Sequence, residues 1–362
     1  MKKSESSLLN NVRLIIESAR QLVVKNIDRT MSLSYFLIGK LIVEEEQHGN
    51  ERAKYADETL KVLSLELSKE FGKGYSERNL QQMRKFYITY QPRINIENIS
   101  QTISAKSVSI PQTVSAKLSQ NAENSILNQI SNPFTLSWSH YVFLCKIDNA
   151  EERNFYEIEA LNNQWTIKEM ERQFNSSLYE RLALSRDKQK VSELSEKGHI
   201  IEHPSDLIKN PYVLEFLGLK EDNTYSETEL ESAIINKIEH FLLEMGKGFL
   251  FSGRQVRFSF NEDHFFVDLV FYNRLLKCFV LIDLKIGKLK HQDIGQMQMY
   301  VNYYDRFVRT TDENKTIGII ICKQKNDAIV EITLPEGNEQ IYASQYQLYL
   351  PSKDEFKRKI LE

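Results

Sequence analysis

The chain has 362 residues, 41% of them hydrophobic and 27% charged, a globular balance long enough for two domains. Its formal net charge of -3 leaves any nucleic-acid contact to local basic patches rather than to overall charge. Three cysteines without metal-ligand spacing, no apolar stretch able to span a bilayer and no signal peptide lead to the expectation of a cytoplasmic protein in a reducing compartment, without membrane contact.

Residues 1–90 read as helical. Leu8, Val12, Ile15, Ala19 and Leu22 recur at spacings of four and three, the stripe of a core-facing bundle helix. An intermolecular coil is the alternative, which would make the chain a homo-oligomer through its N-terminal helices. A second helix is predicted over 52–70, with Ala56, Leu60, Leu63 and Leu67 on one face. Gly72-Lys-Gly74-Tyr-Ser76 then turns the chain, and Ser76 is positioned to cap a third helix from Glu77. This pair can form a helix-turn-helix, presenting Arg78, Asn79, Gln82 and Lys85 away from Leu80, Met83 and Phe86. Arg, Asn and Gln suit base edges and Lys suits phosphate, so these four are candidate nucleic-acid contacts; a plain bundle with a solvated face is the alternative.

Residues 93–135, dominated by Ser, Asn, Gln and Thr, read as a polar flexible insert. Helices are predicted again over 137–147, 150–162 and 166–185, with Asn149 and Thr166 as caps. The last two form a second hairpin with Lys168 and Arg172 exposed, while Trp138 and Trp165 are core anchors. The charged run Ser185 to Lys197 reads as a connector, dividing a helical domain over 1–190 from a second domain over 205–362. There the period changes: a helix over 226–245, strands at 249–260, 264–272 and 276–285, a helix at 292–308 and a strand at 316–322. The expected fold class is an α/β domain, a mixed sheet flanked by helices, preceded by an all-α domain.

Two of those strands carry acids inside apolar runs, His264-Phe-Phe-Val-Asp268-Leu-Val-Phe-Tyr272 and Leu276-Lys-Cys-Phe-Val-Leu-Ile-Asp283-Leu-Lys285. Alternation puts Asp268 on the face of Phe266 and Val270, and Asp283 on the face of Lys285. Carboxylates among apolar side chains need a partner. Mg²⁺ or Mn²⁺, which prefer oxygen ligands, would serve, and so would the lysine; salt-bridged strand-end acids are the structural alternative. A metal held there could activate water against a phosphoryl group, with Lys285 orienting the water or stabilising charge. Gln296 and Tyr300 share one face of the following helix. Upstream, Glu231 borders the apolar face of Ile234, Ile235 and Ile238, and Glu239, ahead of Leu242 and Leu243, is its rival.

An acid on a first helix, Glu231, then Asp268, then Asp283-x-Lys285 resembles the PD-(D/E)XK nuclease superfamily. Gln296-x-x-x-Tyr300 is similar to the motif of its RecB-like branch. Phe241-Leu-Leu-Glu-Met-Gly-Lys-Gly-Phe249, Gly253-Arg-Gln255, Asp268-Leu-Val-Phe-Tyr272 and Ile317-Gly-Ile-Ile-Ile-Cys322 look like the YhcG-type family of bacterial proteins. Gly72-Lys-Gly-Tyr-Ser-Glu-Arg-Asn-Leu80, Leu136-Ser-Trp-Ser-His-Tyr141 and Leu178-Tyr-Glu-Arg181 resemble that family's own helical domain. The resemblance implies a restriction-endonuclease-like fold and a metal-dependent nuclease hydrolysing DNA phosphodiester bonds to leave a 5′-phosphate, an endonuclease rather than an exonuclease. By the same resemblance Asp268, Asp283, the Leu284 carbonyl and Glu231 would hold Mg²⁺ or Mn²⁺, and Lys285 would position the attacking water. Gln296 and Tyr300 would orient that lysine or hold the DNA backbone. Asp283 stands where the pattern usually has Glu, though the signature admits either acid. The alternatives from other classes are a non-catalytic DNA- or protein-binding adaptor of the same fold, and an oligomeric scaffold.

Overall fold

The computed structural model describes residues 26–46, 54–93, 132–184, 188–220, 225–260 and 262–350, with a few isolated positions besides. The Leu8–Leu22 stripe, and with it the coil that would join copies of the chain, lies outside the described residues, as do 94–131 of the insert read over 93–135, whose described end includes the buried Phe134. Contacts divide the chain into two compact units, Met1–Arg153 with Ala160–Ile167, and Asn154–Glu159 with Lys168–Glu362.

The first unit is helical. It contains α1 (26–46), α2 (Lys54–Phe71), α3 (Glu77–Tyr90), α4 (Trp138–Leu144) and the two ends of α5 (Ala150–Asn163). Ser76 caps α3 by accepting the Asn79 N–H at 3.4 Å, and Leu80, Met83 and Phe86 are buried on the predicted face. Asn149 caps α5 through the Glu151 and Glu152 N–H groups. The core is aromatic: Phe86 meets Phe134 at 4.8 Å and Tyr141 at 4.9 Å between ring centroids. Gly39 lets α1 approach α3, because a Cβ there would collide with the Met83 carbonyl oxygen. Trp138 packs against Tyr35 and Phe86, and Trp165 is buried, so both tryptophans are core residues.

The helix predicted over 166–185 is two helices, α6 (Ile167–Asn175) and α7 (Leu178–Leu184), parted where Ser177 takes φ 55. The charged run read as a connector is itself helical, α8 (Lys188–Lys197). The sequence reading groups 168–190 with the helical domain, whereas from Lys168 onward these residues belong to the second unit. Arg172, expected exposed, is instead half-buried in an ion cluster with Glu215 and Glu244, at 3.0 and 2.8 Å. Arg181 meets Glu244 at 2.5 Å with both side chains fully buried. Lys209 donates to the Glu244 carbonyl from the same cluster.

The second unit is built on a six-stranded sheet of order β1-β6-β5-β4-β3-β2. The strands are β1 (Tyr212–Val213), β2 (Phe249–Phe260), β3 (Asp263–Asn273), β4 (Cys278–Lys288), β5 (Ile317–Gln324) and β6 (Ile341–Gln347). β2, β3 and β4 form an antiparallel meander, while β4, β5, β6 and β1 pair parallel, so the sheet is mixed as expected. The predicted helix over 226–245 breaks at Lys237 into α9 (Glu227–Asn236) and α10 (Ile238–Met245). These cover one face, with Leu230, Ile234 and Phe241 against Phe271, Ile282 and Ile319. α11 (His291–Tyr303) covers the other, with Met297, Tyr300 and Val301 against Val270, Leu281 and Ile320. β5 lies between layers and reads as the unbroken apolar run of a central parallel strand. β1, β6 and α12 (Asp327–Thr333) have no counterpart in the prediction; β6, Ile341-Tyr-Ala-Ser-Gln-Tyr-Gln347, is too polar to stand out by composition. Among the described residues no helix is long and apolar enough to cross a membrane.

Candidate active site at the parting of two strands

β3 and β4 pair from Asn273 and Cys278 at their connecting turn to Leu269 and Ile282. The ladder stops one residue before Asp268 and Asp283 would face each other. β4 stays paired with β5 through Lys285, whereas β3 continues with β2 alone. The two acids therefore flank the gap where the strands part. Asp268 Oδ2 accepts the Leu284 N–H at 2.8 Å, taking the place of a backbone carbonyl from β3. The N–H and C=O of one strand residue point to the same side, so the Leu284 carbonyl also looks into this gap.

The alternation of faces slips at Asp268. Val267 and Val270 both pack on the α11 side, while Leu269 packs on the α9 side. Val270 thus does not share the Asp268 face as the period-two reading had it; Phe266 lies 45% exposed and Val270 only 2%. The residue opposite Asp268 on β2 is Gln255, whose φ of 45 is the left-handed region that non-glycine residues rarely enter. Its amide joins the two acids: Gln255 Nε2 donates to Glu231 Oε2 at 2.5 Å and to Asp268 Oδ1 at 3.1 Å. Glu231, on α9, is 3% exposed and also faces Arg254 Nε at 3.2 Å. Glu239, the rival acid, is exposed on α10.

Asp283 is 2% exposed and meets Lys285 Nζ at 2.8 Å; Glu227 reaches the same ammonium at 3.7 Å. Burial drives the Asp283 carboxyl well above the usual carboxylate range; Lys285 pulls it back and Asp268 pushes it further. Burial alone would lower Lys285, yet Asp283, with Glu227 and Asp268 behind it, holds that ammonium above the ordinary lysine range. Gln296 Nε2 donates to the Tyr300 hydroxyl from α11. Burial raises the Tyr300 phenol, the Gln296 bond lowers it, and the charges of Asp283, Asp268 and Lys285 act on it, which places this pair beside the acids.

Two buried carboxylate oxygens here are each met by a single cation and by no other donor: Asp283 Oδ2 by Lys285 Nζ at 2.8 Å and Glu231 Oε1 by Arg254 Nε at 3.2 Å. With Asp268 and the Leu284 carbonyl they offer oxygen atoms only, the donor type that suits a hard divalent cation. Among the described residues no three His, Cys, Asp or Glu side chains converge on one point, and the Gln255 amide bonds both Glu231 and Asp268. In kind, the residues fit such an ion. Gln255 and Glu227 are the site neighbours that strand periodicity leaves unmarked; Gln255 is visible in the sequence only within Gly253-Arg-Gln255.

In the first unit, Arg78 and Lys85 are exposed on α3, whereas Asn79 and Gln82 are half-buried. The Asn79 amide donates to the Gly74 carbonyl at 2.8 Å, so it also holds the turn before its own helix. All three cysteines are buried and none is in a disulfide, as small core residues.

Residues 205–361 match the family model of the YhcG PDDEXK nuclease domain, and residues 11–181 match the DUF1016 N-terminal domain. The chain is 38% identical over 343 residues to the Escherichia coli (strain K12) protein named "Putative nuclease YhcG", covering 94% of this chain and 89% of that protein. It is also similar to the crystal structure of a repair endonuclease from Pyrococcus abyssi, at 19% identity over 36% of this chain and 50% of that one. The TM-score of that match is 0.24, and nothing below rests on it.

Proposed function

The chain belongs to the YhcG family of PDDEXK nuclease-domain proteins, and from that premise we propose that its second unit is an Mg²⁺- or Mn²⁺-dependent endonuclease that hydrolyses DNA phosphodiester bonds. One observation carries this reading: two nearly fully buried carboxylates, Asp283 and Glu231, flank Asp268 where β3 and β4 part, with Lys285 ion-paired to Asp283 at 2.8 Å. PDDEXK nucleases generally use divalent metal ions. Asp268, Asp283, the Leu284 carbonyl and Glu231 would hold the ion, which when bound supplies polarisation of a phosphoryl oxygen and a more acidic water.

The remaining roles belong to the chain itself. Lys285, fixed by Asp283 at 2.8 Å, keeps its charge and orients the attacking water by donating to it; it also steadies the charge that grows on the phosphate. Gln255 keeps Glu231 and Asp268 apart and oriented. Gln296 and Tyr300 place a polar edge on the α11 side, where they hold Lys285 in line or donate to the DNA backbone. Asp283, one carbon shorter than the usual Glu, would hold the ion from β4. Arg78, Asn79, Gln82 and Lys85 on α3 are proposed as additional DNA contacts, Arg78 and Lys85 being the more exposed. Three buried cysteines outside any disulfide suit a reducing cytoplasm.

The test incubates the full chain with plasmid, linear and branched DNA in Mg²⁺ or Mn²⁺, beside Lys285→Ala and Asp268→Asn. Cleavage is expected to fall about 10²–10³-fold in each variant, the scale of losing one transition-state stabiliser, with DNA binding retained. Cleavage that persists in both variants would remove the assigned site. Binding without cleavage by any form of the chain would make the protein a DNA-binding adaptor instead.

A further inference from the structure

Beyond the point where β3 leaves β4, strands β2 and β3 run on as a two-stranded arm, paired from Val256 and Val267 out to Phe260 and Asp263. A bare hairpin is marginal in water, so its two faces need separate accounts. The inner face is packed: Phe258 stacks on Tyr303 at 4.1 Å between centroids, and Phe258, Val267 and Phe265 join the core under α11. The outer face is exposed and its order is not random. Starting from Asp268, it carries Gln255 opposite the acid, then Phe266 opposite Arg257, then His264 opposite Ser259.

These side chains are tied together. Arg257 Nη2 donates to His264 Nε2 at 2.8 Å, which leaves His264 Nδ1 to donate to the Ser259 hydroxyl at 2.8 Å. Phe266 stands beside this group with 45% of its surface in solvent. At about 3.3 Å per strand residue the stripe from Asp268 to His264 is about 13 Å long, the rise of about four nucleotides of one strand. Acidic Glu262 and Asp263 lie exposed at the tip and end the stripe there. A guanidinium, a polar pair and an exposed ring in line with a reactive carboxylate match the alternating phosphates and bases of a nucleic-acid strand.

We propose that the outer face of this arm, Arg257, Phe266, His264 and Ser259, binds an unpaired DNA strand beside the scissile phosphate. Phe266 stacks on a base, which only a base freed from its partner offers; Arg257 meets a phosphate. The substrate class that follows is DNA with a single-stranded segment next to the cleavage point, rather than intact duplex. The proposal rests on the nuclease reading for its direction along the strand, but its binding surface is separable from catalysis.

The experiment measures fluorescence anisotropy of the full chain with a labelled single-stranded oligonucleotide and with the same sequence as blunt duplex, in EDTA so that no cleavage intervenes. Wild type is expected to prefer the single strand. Phe266→Ala and Arg257→Gln are each expected to weaken single-strand binding about tenfold, and only Arg257→Gln to lower the salt dependence, by about one phosphate contact. Both residues are exposed, and unchanged melting temperatures establish that the arm is intact. Single-strand affinity unchanged in both variants overturns the proposal, as does equal binding of duplex with equal losses. If wild type binds through the arm but cuts no DNA with Mg²⁺ or Mn²⁺, the nuclease reading falls and the arm stands. If it cuts and both variants bind and cut like wild type, the arm falls and the nuclease reading stands.

Discussion

Asp283 lies beside Ile320 on the parallel side of β4, 2% exposed, with Oδ2 against the Lys285 ammonium at 2.8 Å. A carboxylate so placed costs several kcal/mol unless compensated, and a single lysine compensates only in part. A divalent cation bound at this point would therefore stabilise the folded chain as well as serve chemistry. Millimolar MgCl₂ or MnCl₂ is expected to raise the melting temperature of wild type, by a few degrees at most for this size, and to leave Asp283→Asn unmoved. A calorimetric scan with and without metal checks this, and equal shifts in the two proteins would place the ion elsewhere. The acids and the lysine were legible in the sequence because charge inside an apolar strand is anomalous by itself. Gln255 was not, because a glutamine in a half-exposed strand violates no rule. Its importance arises from a φ of 45 and from two acceptors brought to it by other elements.

At the scale of elements, the helix acid is decided by the break between α9 and α10. One continuous helix over 226–245 keeps Glu231 and Glu239 equivalent, each at the edge of an apolar face. The chain instead breaks at Lys237, burying Glu231 beside Gln255 and leaving Glu239 exposed on the next helix. Glu231→Gln is expected to reduce DNA cleavage at least tenfold, and Glu239→Gln to leave it within about twofold, each 1.4 kcal/mol being a factor of ten. Initial cleavage rates on one plasmid substrate separate the two, and equal losses would sink the assignment. The meander itself was readable from its three apolar runs. β1 and β6 were not, since their partners are distant in sequence: Tyr212 pairs with Tyr346, and neither strand is apolar enough to stand alone.

For the whole molecule, the buried ion cluster sets where the second unit begins. Glu244 is fully buried between Arg181 and Arg172, with Lys209 donating to its carbonyl. Burial opposes the Glu244 charge, but Arg181, Lys209 and Arg172 hold its carboxyl well below the usual range. A depressed folded value means that its contribution is complete above the ordinary glutamate value of 4.5 and is lost as pH falls below it. Glu244→Gln is expected to cost about 3–5 kcal/mol at neutral pH by leaving buried cations unpaired. Thermal melts from pH 7 to pH 3 are expected to show a steeper acid loss in wild type than in the variant; parallel curves would refute the sign. Burial also holds Lys209 down at about 8, so its desolvation cost is relieved as pH rises from there toward 10.5. By itself, the sequence determined the two-part organisation, the mixed sheet and the acids and lysine inside its apolar strands. Those are written in local period and composition, which a chain carries without its partners. Only the tertiary structure decided that 168–184 join the sheet unit, that Glu231 rather than Glu239 shares the Gln255 amide with Asp268, and that the β2–β3 arm shows a polar face. Each of these depends on side chains far apart in sequence meeting in one place, and no local periodicity encodes which distant partner a buried charge will find.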